Sequence, residues 1–323
     1  MTRASPLPSP LDRGPFSIAS ASAAGVARSR LRANDLVIPT RGARALRSEP
    51  ASIPDDETHS VRLERIHAAL LERAAQFAPV LAPTQFFSHE TGLALLGAPM
   101  PFTEADSREL HISARHPASK PRRAGVVGHR LRERAPSRWH ARGLPIDDPA
   151  RLWRQVGHFW ELDDLIAAAD FLVLPRRRLI TIDALRREIE RAGDVAGGIL
   201  SRALAEVRIG AETHEETVLR LALVRAGLPE PELNVVLRAQ DGRFVARLDL
   251  AYRRYRVAPE HDGRTHAFNE QQFAKDADRW DDIRAQGWNH VRILSHHLHP
   301  DAQPAIDKTT EALFAAGWRP GRA

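Results

Sequence analysis

The sequence predicts an α/β protein whose last third forms an α-β-β-β-α-β core, preceded by a mainly helical N-terminal region and a mixed α+β middle region. Three observations carry this. A capped helical pattern over 213–227 is followed by three runs suited to strands, 233–238, 244–252 and 255–261. A second helical pattern over 270–286 leads into one more apolar strand, 288–294. A Pro-rich, charged stretch at 48–58 reads as a linker after the first segment. The expected domains are therefore 1–57, 58–205 and 206–323.

The 323 residues are too many for one ordinary domain, and the 43% hydrophobic and 27% charged composition is that of a globular chain. There is no cysteine, which removes disulfides, thiolate zinc sites and cysteine nucleophiles, and fits the cytoplasm. No apolar run reaches the roughly 18 residues of a membrane span, and no signal peptide is evident. Residues 1–50 hold eight arginines against three acids, and residues 115–142 hold nine basic residues against Glu133. Such clusters suit phosphate contact, although an arginine- and alanine-rich composition also produces them without any ligand.

In the N-terminal segment, 1–15 is Pro/Ser-rich and expected to be disordered. Ser17 is a good N-cap for a short helix ending at Gly25, and Val26–Ala33 is a second short helix bearing Arg28, Arg30 and Arg32. Leu36–Pro39 is a brief strand. Helix, glycine turn, Arg-bearing helix and strand is the order of a winged helix-turn-helix, so these arginines are candidate DNA contacts. The plainer reading is a helical cap with solvated arginines. The middle region shows helices at 61–77 and 89–96, a strand at 109–114, a further strand around Val126-Val127, and two or three helices within 148–208. It carries no chemical motif of its own.

The C-terminal region holds the chemistry. Thr213 and Glu216 have capping-box spacing at the head of the first helix, which Gly227 and Pro229 end. Asp241-Gly242 is a hairpin signal. In the strand that follows, Phe244, Ala246, Leu248 and Leu250 share one face, and Val245, Arg247, Asp249 and Ala251 the other. Aspartate is depleted in strands, so Asp249 calls for a cation, a metal or open water. The next strand ends in Glu260-His261-Asp262-Gly263, with Arg264 and His266 beyond. Alternation places Glu260 and Asp262 on one side, so two adjacent strands can present Asp249, Glu260 and Asp262 around one point. Carboxylates on a rigid platform suit Mg²⁺ (or Mn²⁺), which takes substrate phosphate as a further ligand.

Each assignment has a plainer alternative. Glu216 is either an accessory acid or only the capping residue. Asp249 can pair with Arg247 or Arg256, Asp262 can belong to a turn, and His266 is either a general base or a loop histidine. Asp276 and Arg279 have the spacing of a structural pair. His296, His297 and His299 read as a solvated strand end in preference to a metal cluster. Arg264, Lys275 and Arg279 are further candidates for DNA phosphate.

Taken in order, Thr213–Arg220, Ala226–Pro231, Arg247–Tyr252, Glu260–His266, Asp276 with Arg279, and Gly287-Trp288 resemble a domain family of unknown function related to very-short-patch-repair (Vsr) endonucleases, within the restriction-endonuclease-like PD-(D/E)XK superfamily. The resemblance covers about 110 residues. It implies a restriction-endonuclease-like fold and a Mg²⁺-dependent endonuclease, with Asp249 as the first metal-binding acid and Glu260 as the second. Two departures stand out. The superfamily has lysine two residues after the second acid, where this chain has Asp262; His266, Lys275 or Arg264 would have to substitute. Relatives usually carry Val-Glu-Tyr where this chain has Pro259-Glu260-His261, and proline there removes a ladder donor. More weakly, the N-terminal part, with Phe87–Gly97 and Leu110–Ser113, resembles the AbiEi-type antitoxin/regulator architecture. This implies a DNA-binding front end and a cognate toxin as partner. The expectation is thus a DNA-binding protein with an endonuclease domain; the alternative is an inactive regulator or antitoxin that keeps the nuclease fold for binding.

Overall fold

A computed structural model describes residues 5–48, 59–103, 105, 107–131, 137–262 and 270–321, with main chain only at 59–60 and 270–277. The chain divides into two compact units, Met1–His158 and Phe159–Ala323. The architecture is mixed α/β, built from helices and several small sheets.

In the first unit, β1 (Phe16–Ser17), β2 (Leu36–Val37) and β3 (Ala43–Leu46) form an antiparallel sheet in the order β1-β3-β2. Helix α1 (Ile18–Ala23) is capped as predicted, the Ser17 hydroxyl accepting from the Ser20 amide at 3.0 Å. Two expectations are corrected here. Residues 5–15 are not a disordered tail: Leu7 and Leu11 are buried with Phe16, Ala21, Leu31 and Leu36, enough apolar surface to order the segment. The second helix shrinks to one 3₁₀ turn, Arg30–Arg32. Only Leu31 of that turn is buried, and so short a helix cannot persist on propensity alone.

The linker expected at 48–58 lies, but for Ser48, outside the described residues; after it come α2 (His59–Phe77), β4 (Gln85–Phe87), α3 (His89–Leu96), β5 (Leu110–Arg115) and β6 (Val126–Leu131). The sheet order is β4-β5-β6, with β4 antiparallel and β6 parallel to β5. Gly97 ends α3 in the left-handed conformation, as its type predicts. A short hairpin, β7 (His140–Ala141) and β8 (Leu144–Pro145), precedes α4 (Pro149–Val156). Gly92 lets α3 approach α4, since a Cβ there would collide with the Leu152 side chain.

The second unit opens with α5 (Leu162–Val173), α6 (Ile182–Ala192) and α7 (Ile199–Glu206), then α8 (His214–Arg225). Asp170 of α5 is fully buried and accepts from Thr217 Oγ1 and Arg220 Nη2 of α8, each at 3.0 Å, and from the Arg208 amide at 2.6 Å. These bonds tie α5 to the C-terminal core, and the expected boundary at 205/206 falls inside this unit.

The predicted α-β-β-β-α-β order follows: α8, β9 (Glu232–Arg238), β10 (Phe244–Ala251), β11 (Val257–Asp262), α9 (Glu270–Ala285) and β12 (Asn289–Leu294). Short α10 (Ser295–Leu298) and α11 (Gln303–Ala315) close it. Strands β9 and β10 form an antiparallel hairpin turned at Asp241-Gly242. A register shift between Phe244 and Ala246 interrupts the expected alternation, so Val245 is buried and Phe244 is exposed. Strand β11 runs parallel to β12. It meets β10 through the isolated Tyr252–Val257 bridge, not through a continuous ladder. Pro259, inside β11, contributes no amide donor to either neighbour. Leu219, Leu250, Val257 and Ile293 pack one cluster with α11, and Leu248, Ala258, Ile283 and Trp288 another.

Candidate functional site

The acidic residues singled out above sit on three elements of the second unit. Glu216, in the first turn of α8, is buried and held on several sides. Its Oε1 accepts from Thr213 Oγ1 at 3.1 Å, and its Oε2 accepts from the Glu212 amide at 2.8 Å and Asn234 Nδ2 at 3.2 Å. The Thr213 hydroxyl in turn accepts from the Glu216 amide at 3.2 Å. Thr213 therefore caps α8, but the capping box is only half made: the Glu216 carboxylate takes the Glu212 amide in place of the Thr213 amide. Burial nonetheless pushes this carboxyl above the usual carboxylate range.

Asp249 is half-buried on β10 and makes no hydrogen bond or ion pair among the described residues. Neither Arg247 nor Arg256 pairs with it; Arg247 Nη2 instead donates to Glu212 Oε2 at 2.7 Å. Burial first, then the charges of Glu260 and Glu216, push the Asp249 carboxyl up to about 8, against the opposing pull of Arg279 and Arg247.

Glu260 of β11 is 5% exposed. Arg279 of α9 grips it with both terminal nitrogens, at 2.9 and 3.0 Å, and His290 Nε2 of β12 lies 2.8 Å from its Oε2. Asp262 lies on the same side of β11, as alternation predicts, but it is taken by Arg292: Nε donates at 2.8 Å and Nη2 lies 2.7 Å away. Trp280 stacks on His290 with centroids 5.7 Å apart, and the Arg292 guanidinium lies 4.7 Å from the Trp280 centroid.

Glu216, Asp249 and Glu260 are thus brought together electrostatically, while Asp262 is diverted into a pair. Among the described residues these acids do not place three oxygens within 4.8 Å of one another; the group that does bring three ligand atoms that close is His89, His111 and His129 of the first unit. Arg279 is occupied by Glu260, not presented to a phosphate. The Arg264 and His266 assignments lie outside the described residues, as do the side chains of Lys275 and Asp276. Arg28 and Arg32 are exposed, as a DNA contact requires, but Arg30 donates to both Asp35 oxygens at 2.7 and 2.8 Å. His297 accepts from the Leu294 amide at 3.0 Å, so one member of the 296–299 cluster caps α10.

Sequence reasoning missed Asn234, His290, Arg292 and the Trp280 platform. Their spacing from the acids carries no local signal. The available clue was an Arg-bearing strand, 289–294, within the same predicted core as the strand that holds the acids.

No helix among the described residues is long and apolar enough to cross a membrane. No protein-family model matches this chain, and neither does any curated protein or any solved structure.

Proposed function

We propose that the chain is a DNA-binding protein whose second unit hydrolyses phosphodiester bonds with Mg²⁺. The observation that carries this reading is Asp249, an acid unpaired among the described residues and set beside two buried acids from α8 and β11. A carboxylate in that position calls for a cation, and an all-oxygen donor set suits Mg²⁺ in preference to softer metals. Asp249 and Glu260 would hold the ion, with Glu216 behind them. When bound, it would polarise a phosphoryl oxygen and lower the pKa of a bound water. Arg279 and His290 orient Glu260, and the Arg279 guanidinium offsets its charge. Arg292, beside Asp262, brings a cation to the strand pair where the superfamily pattern has lysine. Arg28 and Arg32 supply sequence-independent phosphate contacts. Purified protein is expected to nick plasmid DNA with Mg²⁺ or Mn²⁺, and Asp249→Ala to abolish nicking. Absence of cleavage with either ion would overturn the proposal.

The pairing of Glu260 with Arg279 and Asp262 with Arg292 favours a second reading: a regulator or antitoxin of the AbiEi type, with a toxin partner, in which the acids are structural. It predicts salt-sensitive DNA binding that survives Asp249→Ala, and no carboxylate-dependent Mg²⁺ heat in titration calorimetry.

A further inference from the structure

The segments 87–97 and 110–113 play no part in the chemistry of the second unit, yet they carry two histidines that the first unit brings to one point. His89 opens α3, His111 lies on β5 and His129 on β6. In the parallel register Ser113 is opposite His129, so His111 and His129 occupy one face of the sheet on adjacent strands, two positions out of step. His111 Nδ1 lies 3.0 Å from His129 Nε2, and the His89 ring stacks on His129 with centroids 3.7 Å apart. One ligand atom from each of the three lies within 4.8 Å of the others.

We infer that His89, His111 and His129 form a binding site for one borderline transition-metal ion, of which Zn²⁺ is the type. Tetrahedral Zn²⁺ with Zn–N near 2.0–2.1 Å needs its ligand nitrogens about 3.3 Å apart, a small adjustment from the 3.0 Å separation of the His111 and His129 nitrogens. Imidazole nitrogen selects such ions over Mg²⁺. Binding takes the neutral imidazoles, whose ring nitrogens are then the ligands.

The surroundings supply the outer contacts that metal-binding histidines use. His89 Nδ1 is 3.0 Å from Ser88 Oγ, which accepts from Ser113 Oγ at 2.8 Å; both serines are fully buried. Glu90 Oε1 lies 3.7 Å from His111 Nε2, and Arg108 holds the other Glu90 oxygen at 2.9 Å. These contacts fix the two rings from outside, so that His89 Nε2, His111 Nδ1 and His129 Nε2 take the ion. A metal there ties α3 to both strands of the parallel pair and leaves a fourth position for water or a carboxylate.

The test uses the full chain, stripped with chelator and titrated with Zn²⁺ alone by calorimetry, and with Co²⁺ followed by visible absorption. One equivalent of Zn²⁺ is expected to bind the wild type and the Asp249→Ala variant alike. An intense Co²⁺ band of tetrahedral nitrogen ligation is expected, and both signals are expected to be lost in His129→Gln. Zn²⁺ is expected to raise the Tm of the wild type but not of His129→Gln. Lack of stoichiometric binding by the wild type overturns the inference. So does wild-type binding by both His129→Gln and His111→Gln, which would place the ion elsewhere, the 296–299 histidines included. If His129→Gln fails to fold, the Co²⁺ spectrum of the wild type and the His111→Gln titration decide.

Discussion

Arg279 holds Glu260 with both terminal nitrogens, and its Nη2 also donates to the Arg247 carbonyl at 3.0 Å. One guanidinium on α9 thus spans β11 and β10, which share no continuous ladder. Arg279→Ala leaves a buried carboxylate facing His290 and its acidic neighbours. The expected loss is about 1–3 kcal/mol, below that of a fully buried pair because the arginine is partly exposed. Millimolar Mg²⁺ is expected to recover part of that loss by taking over the charge. Urea unfolding with and without Mg²⁺ reads both effects, and an unchanged midpoint in Mg²⁺-free buffer would sink the idea.

Asp249 gives a pH-dependent test. Its folded pKa, about 8, stands above the unfolded value near 3.8. The stability linked to its proton is therefore fully present below the unfolded pKa and is lost as pH rises through about 8. Asn cannot ionise, so in Mg²⁺-free buffer Asp249→Asn is expected to gain stability over wild type as pH climbs from 4 to 9. A Tm advantage of the variant that is absent at pH 4 and grows up to pH 9 is the expected sign. Parallel Tm-versus-pH curves for the two proteins would refute the coupling of Asp249 to its acidic neighbours.

The buried pair of Asp170 and Arg220 makes a prediction remote from the acidic site. Both side chains are 1% exposed, and Arg220 also donates to the Glu206 carbonyl at 3.0 Å. Asp170→Ala leaves the buried guanidinium with the Glu206 carbonyl and the more exposed Glu230 carboxylate, 3.6 Å from Nη1, and also removes the acceptor of Thr217 and the Arg208 amide. A loss of about 3–5 kcal/mol is expected in chemical denaturation. A loss under about 1 kcal/mol would show that the ion pair does not hold α5 to α8.

The three N-terminal arginines are expected to separate by experiment. Arg28→Ala and Arg32→Ala are each expected to weaken DNA binding and to reduce the slope of log K against log salt by about 1. Arg30→Ala removes the bidentate contact with Asp35 and is expected to cost about 0.5–1 kcal/mol of stability, with a smaller effect on that slope. Equal salt slopes for all three variants and wild type would remove this segment from the DNA interface.

What was legible in the sequence was local. The α-β-β-β-α-β order, the Ser17 and Thr213 caps, the Gly97 helix end and the Asp241-Gly242 turn depend on residues within a few positions of each other. Strand alternation also placed Glu260 and Asp262 on one side of β11. It did not reveal their partners, because period two assigns a face and says nothing about which strand lies alongside. Even the face failed at Phe244, where one bulged residue resets the alternation.

By itself, then, the sequence determined the helices and strands of the C-terminal core and that carboxylates gather there, since periodicity, caps and turn residues act over short range; it did not determine the 3₁₀ turn at Arg30–Arg32 or the four helices that fill 148–208, where two or three were expected. Only the tertiary structure decided that β11 pairs in parallel with β12, that Arg279 and Arg292 take Glu260 and Asp262 while Asp249 stays unpaired among the described residues, and that His89, His111 and His129 meet. Those contacts join residues 18 to 40 positions apart. The packing that selects them, through burial of apolar faces and compensation of buried charge, is a property of the assembled elements and of no single segment.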